Sequence, residues 1–199
     1  ALRPAYGLAE NTLAATLYNP AFPAPDFHGA LRLVPSSGAP IPGVEVRINA
    51  AGGQVAREGE EGNIQVRSGS LMKGYFRDEA ASLAALPGGW LETGDLGVLC
   101  AGQLHVTGRA KEMLIQNGTK FHPYDLERAA ADSVDAAIAG AAAFAIAGPE
   151  GERLVMAVEV PPGFEGDVIR HVRGALLEAR GVRVDVVLPL RPGELPRTT

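Results

Sequence analysis

Cysteine is nearly absent: Cys100 is the only one in 199 residues. A lone thiol excludes an internal disulfide and gives nothing on which to build a metal cluster, and it fits a reducing, cytoplasmic compartment. No apolar run is long enough to cross a bilayer, and the first residues lack the pattern of a signal peptide. No cluster of Lys or Arg interrupts a chain of formal net charge -5, which argues against a nucleic-acid surface. No Gly-x-Gly-x-x-Gly follows a strand, which removes a dinucleotide-binding fold, and there are no internal repeats. What the chain does have is 46% hydrophobic residues, enough for a core, with 25 Gly and 15 Pro that predict many turns.

The first half reads as mostly β. Residues 12–43 are Pro-rich and weakly periodic, an irregular loop with one short strand around Ala30–Val34. "VEVRI" (44–48) and "GNIQVRS" (62–68) alternate with period two and predict strands. "RDEAASLAAL" (77–86) predicts a short helix stopped by Pro87-Gly88-Gly89, and "LGVLC" and "QLHVT" predict a hairpin through Ala101-Gly102.

The second half changes character. Met113, Leu114 and Ile115 predict a short buried strand before an Asn117-Gly118 turn, and Pro123 suits the first turn of a helix over 123–138. Strands follow at 142–147 and 153–160, joined by a turn at Gly148–Gly151. Val168, Ile169, Val172, Leu176 and Leu177 form the apolar stripe of a helix over 166–179, and 182–190 is a last strand. The fold class is α+β: a β-rich first domain, residues 1–109, then a small domain, residues 110–199, with a roughly three-stranded sheet. Ala1 in place of Met, and an end in the loop "PGELPRTT", predict a fragment.

Four short stretches carry polar residues that folding does not require. In "YGLAENT" (6–12), Glu10 taken alone is a surface carboxylate. "SLMKGYF" (70–76) reads as a tight turn at Gly74 over packed core aromatics. Thr93-Gly94-Asp95 in "WLETGDLG" (90–97) reads as a turn in which the Asp side chain bonds its own backbone, just before a strand. "GRAKEMLIQNGTKFHPYDLE" (108–127) places Arg109 and Lys111 where no folding argument needs them, and His122 beside Pro123 reads as structural.

Taken in order, these stretches resemble the motifs of the adenylate-forming ligases, the superfamily of acyl-CoA synthetases, fatty acyl-AMP ligases, luciferases and adenylation domains of peptide synthetases. "YGLAE" is similar to the family's Tyr-Gly-x-Thr/Ala-Glu, "LETGDLG" to its Thr-Gly-Asp motif, and the 108–127 stretch to its Gly-Arg-x-Lys/Asp-Asp/Glu signature. "GELPRTT" looks like the start of the terminal Pro-Arg-Thr-x-Ser-Gly-Lys motif. The resemblance implies an ATP-dependent enzyme that joins a carboxylic acid to the α-phosphate, giving acyl-AMP, and then passes the acyl group to the thiol of CoA or an acyl-carrier protein. Such chemistry needs positioning and charge stabilisation more than acid–base groups.

Residue by residue, the resemblance implies Tyr6 against the adenine with Gly7 beside it, Glu10 as the catalytic carboxylate holding Mg2+, and Asp95 on the ribose hydroxyls. Arg109 adds a second nucleotide contact, and Asp95 with Arg109 makes a clamp across the domain boundary. Lys111 is the hinge about which the small domain rotates. The family's Ser/Thr/Gly-rich phosphate loop and terminal lysine are not in the chain, which implies that the isolated segment is inactive. "YGLAENT" and "NGTKFHPYDLE" lean toward fatty acyl-AMP ligases, whereas the modest loop before "VPSSGAPIPGVEVRI" leans toward acyl-CoA synthetases. The alternative is a non-catalytic binding or regulatory module of the same architecture.

Overall fold

Short strands open the chain. β1 (Ala5–Gly7) runs antiparallel to β2 (Ala14–Leu17), β3 (Phe27–His28) to β4 (Leu33–Val34), and β2 also pairs with β5 (Ala39–Pro40). The computed structural model describes residues 3–23, 27–28, 33–116, 118–133, 138–148 and 151–196. The strand expected around Ala30–Val34 is described only at Leu33–Val34, since residues 30–32 lie outside these ranges. The stretch expected to be irregular contains β2, whose Ala15 and Thr16 are wholly buried. A four-residue strand among prolines carries too few residues to display a period.

β6 (Val44–Asn49), β7 (Gly62–Ser68), β8 (Leu91–Cys100) and β9 (Gln103–Arg109) form an antiparallel sheet in that order. The alternation places Ile48, Ile64, Val66 and Leu104 in one core with Ala15, while Val44, Val46 and the ring of Tyr6 pack against it. Each fully buried aliphatic contributes about 1.5–3 kcal/mol. On the other face the guanidiniums of Arg47 and Arg67 lie 3.9 and 4.5 Å from the centre of the Trp90 ring. Between β7 and β8 comes α1 (Glu79–Ala85), whose first turn is capped by Asp78 Oδ1 accepting from the Ala81 amide at 2.9 Å. The expected core aromatics of 70–76 are not core: Phe76 is 86% exposed, and Tyr75 turns its hydroxyl to Glu10.

The chain divides into two compact units, Ala1–Lys111 and Glu112–Thr199. The second begins with the hairpin β10 (Leu114–Gln116) and β11 (Thr119–Phe121). Met113 precedes the strand and Ile115 is 56% exposed, so only Leu114 of the expected buried trio enters the core. Asn117 lies outside the described residues. α2 (Pro123–Asp132) has Pro123 at its first position and ends at Ser133, short of the expected residue 138; residues 134–137 are not described.

β12 (Gly140–Gly148) and β13 (Gly151–Glu159) form an antiparallel pair, α3 (Glu165–Arg180) follows, and β14 (Val186–Leu190) lies parallel to β13. The turn residues Pro149 and Glu150 lie outside the described ranges. The three-stranded sheet and the α-β-β-α-β order match the α+β expectation. Val168, Val172 and Leu176 bury the α3 stripe against Leu126, Met156 and Val158, while Leu177, expected in the stripe, is 53% exposed. Among the described residues no helix is long and apolar enough to cross a membrane.

Glu127 on α2 ties helix to sheet, its Oε1 accepting from the Ala143 amide at 3.0 Å. Burial pushes its carboxyl above the ordinary value, the Ala143 bond opposes that, and the charge of Glu112 adds to it. The folded chain therefore holds this proton more tightly than the unfolded one. The contribution is present below the unfolded pKa of about 4.3 and is lost as pH rises through the folded value. Glu127→Gln should accordingly gain in melting temperature relative to wild type as pH is raised from about 4. A difference that stays constant with pH would contradict the assignment.

Candidate nucleotide site

β8 departs from regular pairing at Thr93-Gly94-Asp95. Glu92 faces Gln65 and Leu96 faces Asn63, so three residues of β8 oppose Ile64 alone. Gly94 takes φ +78°, the left-handed region that glycine occupies without strain. The Thr93 hydroxyl donates to the Ile64 carbonyl at 2.8 Å and accepts from the Asp95 amide at 3.1 Å. The expected turn before a strand is thus a bulge inside one, because a side-chain hydroxyl replaces the lost ladder partners.

Asp95 faces Arg109 directly across the β8–β9 ladder. Its Oδ1 lies 3.3 Å from Arg109 Nε, and its Oδ2 accepts from the Tyr6 hydroxyl at 2.7 Å. The Asp95 side chain is 17% exposed and that of Arg109 68%. Burial, together with the hydrogen bond to Asp95, raises the Tyr6 phenol well above its ordinary value, so it remains a donor at all ordinary pH. Three of the expected residues, distant in sequence, therefore meet at one carboxylate. Both members of the expected clamp belong to the first unit, so the pair does not bridge two units.

Gly7 follows Tyr6 where β1 pairs irregularly with β2. A Cβ there would lie 1.8 Å from the Leu13 carbonyl oxygen and 2.9 Å from Ala14 Cα, so the backbones touch as only glycine allows. Glu10 sits in a 3-10 turn, Ala9–Asn11, where its carbonyl accepts from the Met72 amide at 2.7 Å and its Oε1 from the Tyr75 hydroxyl at 3.0 Å. That bond raises the Tyr75 phenol above its ordinary value. Two residues on, Thr12 has φ +69°, and the Leu13 amide bonds back to Asn11 O at 2.8 Å, a strained γ-turn. The Thr12 hydroxyl secures it by donating to Ser70 O at 3.0 Å.

Among the described residues no three His, Cys, Asp or Glu side chains converge as a metal cage. Glu10 alone still suits Mg2+, which keeps most of its waters and takes one or two carboxylates beside substrate phosphates. Lys111, exposed, is the last residue of the first unit, in the 3-10 turn Ala110–Glu112. Thr93, Tyr75 and Thr12 were not singled out from the sequence. All three lie within the polar stretches 6–12, 70–76 and 90–97, but the partners that give them a role are 29 to 65 residues away.

Residues 1–76 match the family model of AMP-binding enzymes. Indoleacetate–CoA ligase of Aromatoleum aromaticum is 36% identical over 202 residues, covering 97% of this chain and 36% of that protein. Microperfuranone synthase of Emericella nidulans is 39% identical over 132 residues, 64% of this chain and 14% of that protein. The solved structure of McyG A-PCP complexed with phenylalanyl-adenylate superimposes with a TM-score of 0.80 at 28% identity, over 98% of this chain and 36% of that one. The chain thus spans 14% to 36% of the length of these relatives. With residues 1–76 matching the AMP-binding model and 36% identity to a ligase along 97% of its length, the chain belongs to the adenylate-forming, AMP-binding enzymes.

Proposed function

We propose that residues 1–109 are the end of the large adenylating domain, and residues 110–199 the mobile C-terminal domain, of an ATP-dependent ligase. It activates a carboxylic acid, fatty or related, as acyl-AMP and hands the acyl group to a thiol. The acceptor is CoA or a carrier protein; relatives named for CoA ligation and for an A-PCP pair support a thiol of either kind. In this reading Tyr6 and Gly7 border the adenine, Asp95 accepts from the ribose hydroxyls and Arg109 adds a cationic contact. Glu10 holds Mg2+, which would supply charge neutralisation at the phosphates.

The observation that carries the reading is the Asp95 carboxylate, gripped by Tyr6 and faced by Arg109 in a chain whose first 76 residues match AMP-binding enzymes. Arg109 is mostly exposed, and an ion pair screened by solvent on one side contributes little to stability, about 0–1 kcal/mol, so the pairing itself adds little to the fold. AMP titrated into the chain should give saturable NMR shifts at the Asp95 and Arg109 amides. If those amides stay unmoved at millimolar AMP, the reading is wrong.

Lys111, at the end of the first unit, is the proposed hinge, whose backbone must absorb the φ/ψ change of domain rotation. In an active ligase carrying this chain, Lys111→Pro would hold φ near about -65°. It should slow acyl-AMP formation and thioester formation unequally. Equal slowing of both half-reactions would remove the hinge.

A further inference from the structure

We propose that Thr93 is the positioning residue that aims the Asp95 carboxylate at the nucleotide, an inference that rests on the nucleotide reading of this site. Ile64 is fully buried, so its carbonyl cannot turn to water when the bulge takes away its ladder partner. The Thr93 hydroxyl donates to that carbonyl at 2.8 Å and spends its acceptor on the Asp95 amide at 3.1 Å. One side chain therefore closes the three-residue bulge at both its entry and its exit. The next pairing irregularity follows at once, between Leu96 and Gly97 on the β9 side. Asp95 thus sits in a stretch of β8 where the ladder constrains the backbone least, and the Thr93 hydroxyl supplies the constraint.

The side chain at Asp95 inherits that constraint. Its two oxygens reach Tyr6 and Arg109 on different strands, β1 and β9, which requires one setting of the Asp95 backbone. Loss of the Thr93 acceptor frees the Asp95 amide and lets Gly94, the most permissive residue of the bulge, re-set the chain. Position 93 needs a hydroxyl with both donor and acceptor capacity, which serine shares and valine, of the same shape, lacks.

The test compares AMP with 2′,3′-dideoxyadenosine 5′-monophosphate, binding each to the chain by equilibrium titration. Wild type should prefer AMP by about tenfold to a hundredfold, the effect of hydrogen bonds to a charged acceptor. Thr93→Ser should keep that preference, and Thr93→Val should reduce it to about twofold or less while still binding the dideoxy nucleotide, since hydrogen bonding to Asp95 is what separates the two ligands. A merely structural role would weaken both nucleotides alike. Should Thr93→Val fail to fold, Thr93→Cys, with its weak S–H donor, takes its place and should also lose most of the preference. A folded Thr93→Val or Thr93→Cys chain with the wild-type preference, beside an Asp95→Ala chain that has lost it, overturns the role of Thr93 and leaves the nucleotide site standing. No preference in wild type overturns both.

Discussion

Replacing Gly7 by alanine is expected to cost about 3 kcal/mol or more, a large fraction of an ordinary stability of about 5–15 kcal/mol. The added methyl would lie 1.8 Å from the Leu13 carbonyl oxygen, 2.7 Å from its carbon and 2.9 Å from Ala14 Cα. All three atoms are backbone, so no rotamer change can relieve the contact. β1 and β2 would have to separate, and β2 carries Ala15 into the core. Overpacking against movable side chains costs about 1–3 kcal/mol, and an immovable backbone belongs at or above the top of that range. Because Tyr6 precedes Gly7, the same shift would pull the phenol from Asp95. Chemical denaturation of Gly7→Ala checks this; a loss below about 1 kcal/mol, the ordinary effect of a point substitution, would show that the strands separate easily.

Asp95→Ala should weaken AMP binding by about ten- to a hundredfold, the equivalent of roughly 1.5–3 kcal/mol for hydrogen bonds to a charged acceptor. The substitution also removes the carboxylate that accepts from the half-buried Tyr6 hydroxyl, so some stability is lost with it. Asp95→Asn separates the two effects: its amide oxygen can still accept from Tyr6, while the charge facing Arg109 is gone. Its stability should stay near wild type, with AMP affinity reduced by about tenfold. If Asp95 and Arg109 serve only to staple β8 to β9, both variants would lose stability and bind AMP as wild type does. Isothermal titration beside thermal melts distinguishes the outcomes.

The parts of this protein legible in its sequence were those governed by local periodicity. Alternation in 44–48 and 62–68 named two strands of the main sheet, Ala101-Gly102 its hairpin turn, and Pro123 the start of α2. The stripe from Val168 to Leu176 named the buried face of α3. Errors fell where a pattern ran past the packing that would enforce it. Ile115 and Leu177 continue apolar runs yet face outward, because a two-stranded hairpin and a single helix face can each cover only one side. Phe76 and Tyr75 looked like core aromatics because hydrophobicity alone does not reveal which side of a turn meets the sheet.

The candidate site divides the same way. Its residue types stood in the sequence as ordered motifs, since each motif is a contiguous segment. Their assembly did not, because it depends on pairings over long separations. Tyr6 reaches Asp95 across 89 residues and Tyr75 reaches Glu10 across 65. The bulge that presents Asp95 is bridged by the Thr93 hydroxyl donating to the Ile64 carbonyl 29 residues away, on the neighbouring strand. Sequence by itself determined the elements and the chemistry available, through the spacing of side chains along one segment. Tertiary structure decided which groups touch, because strand register and backbone approach, as at Gly7 against Leu13, are settled only when separate segments pack together.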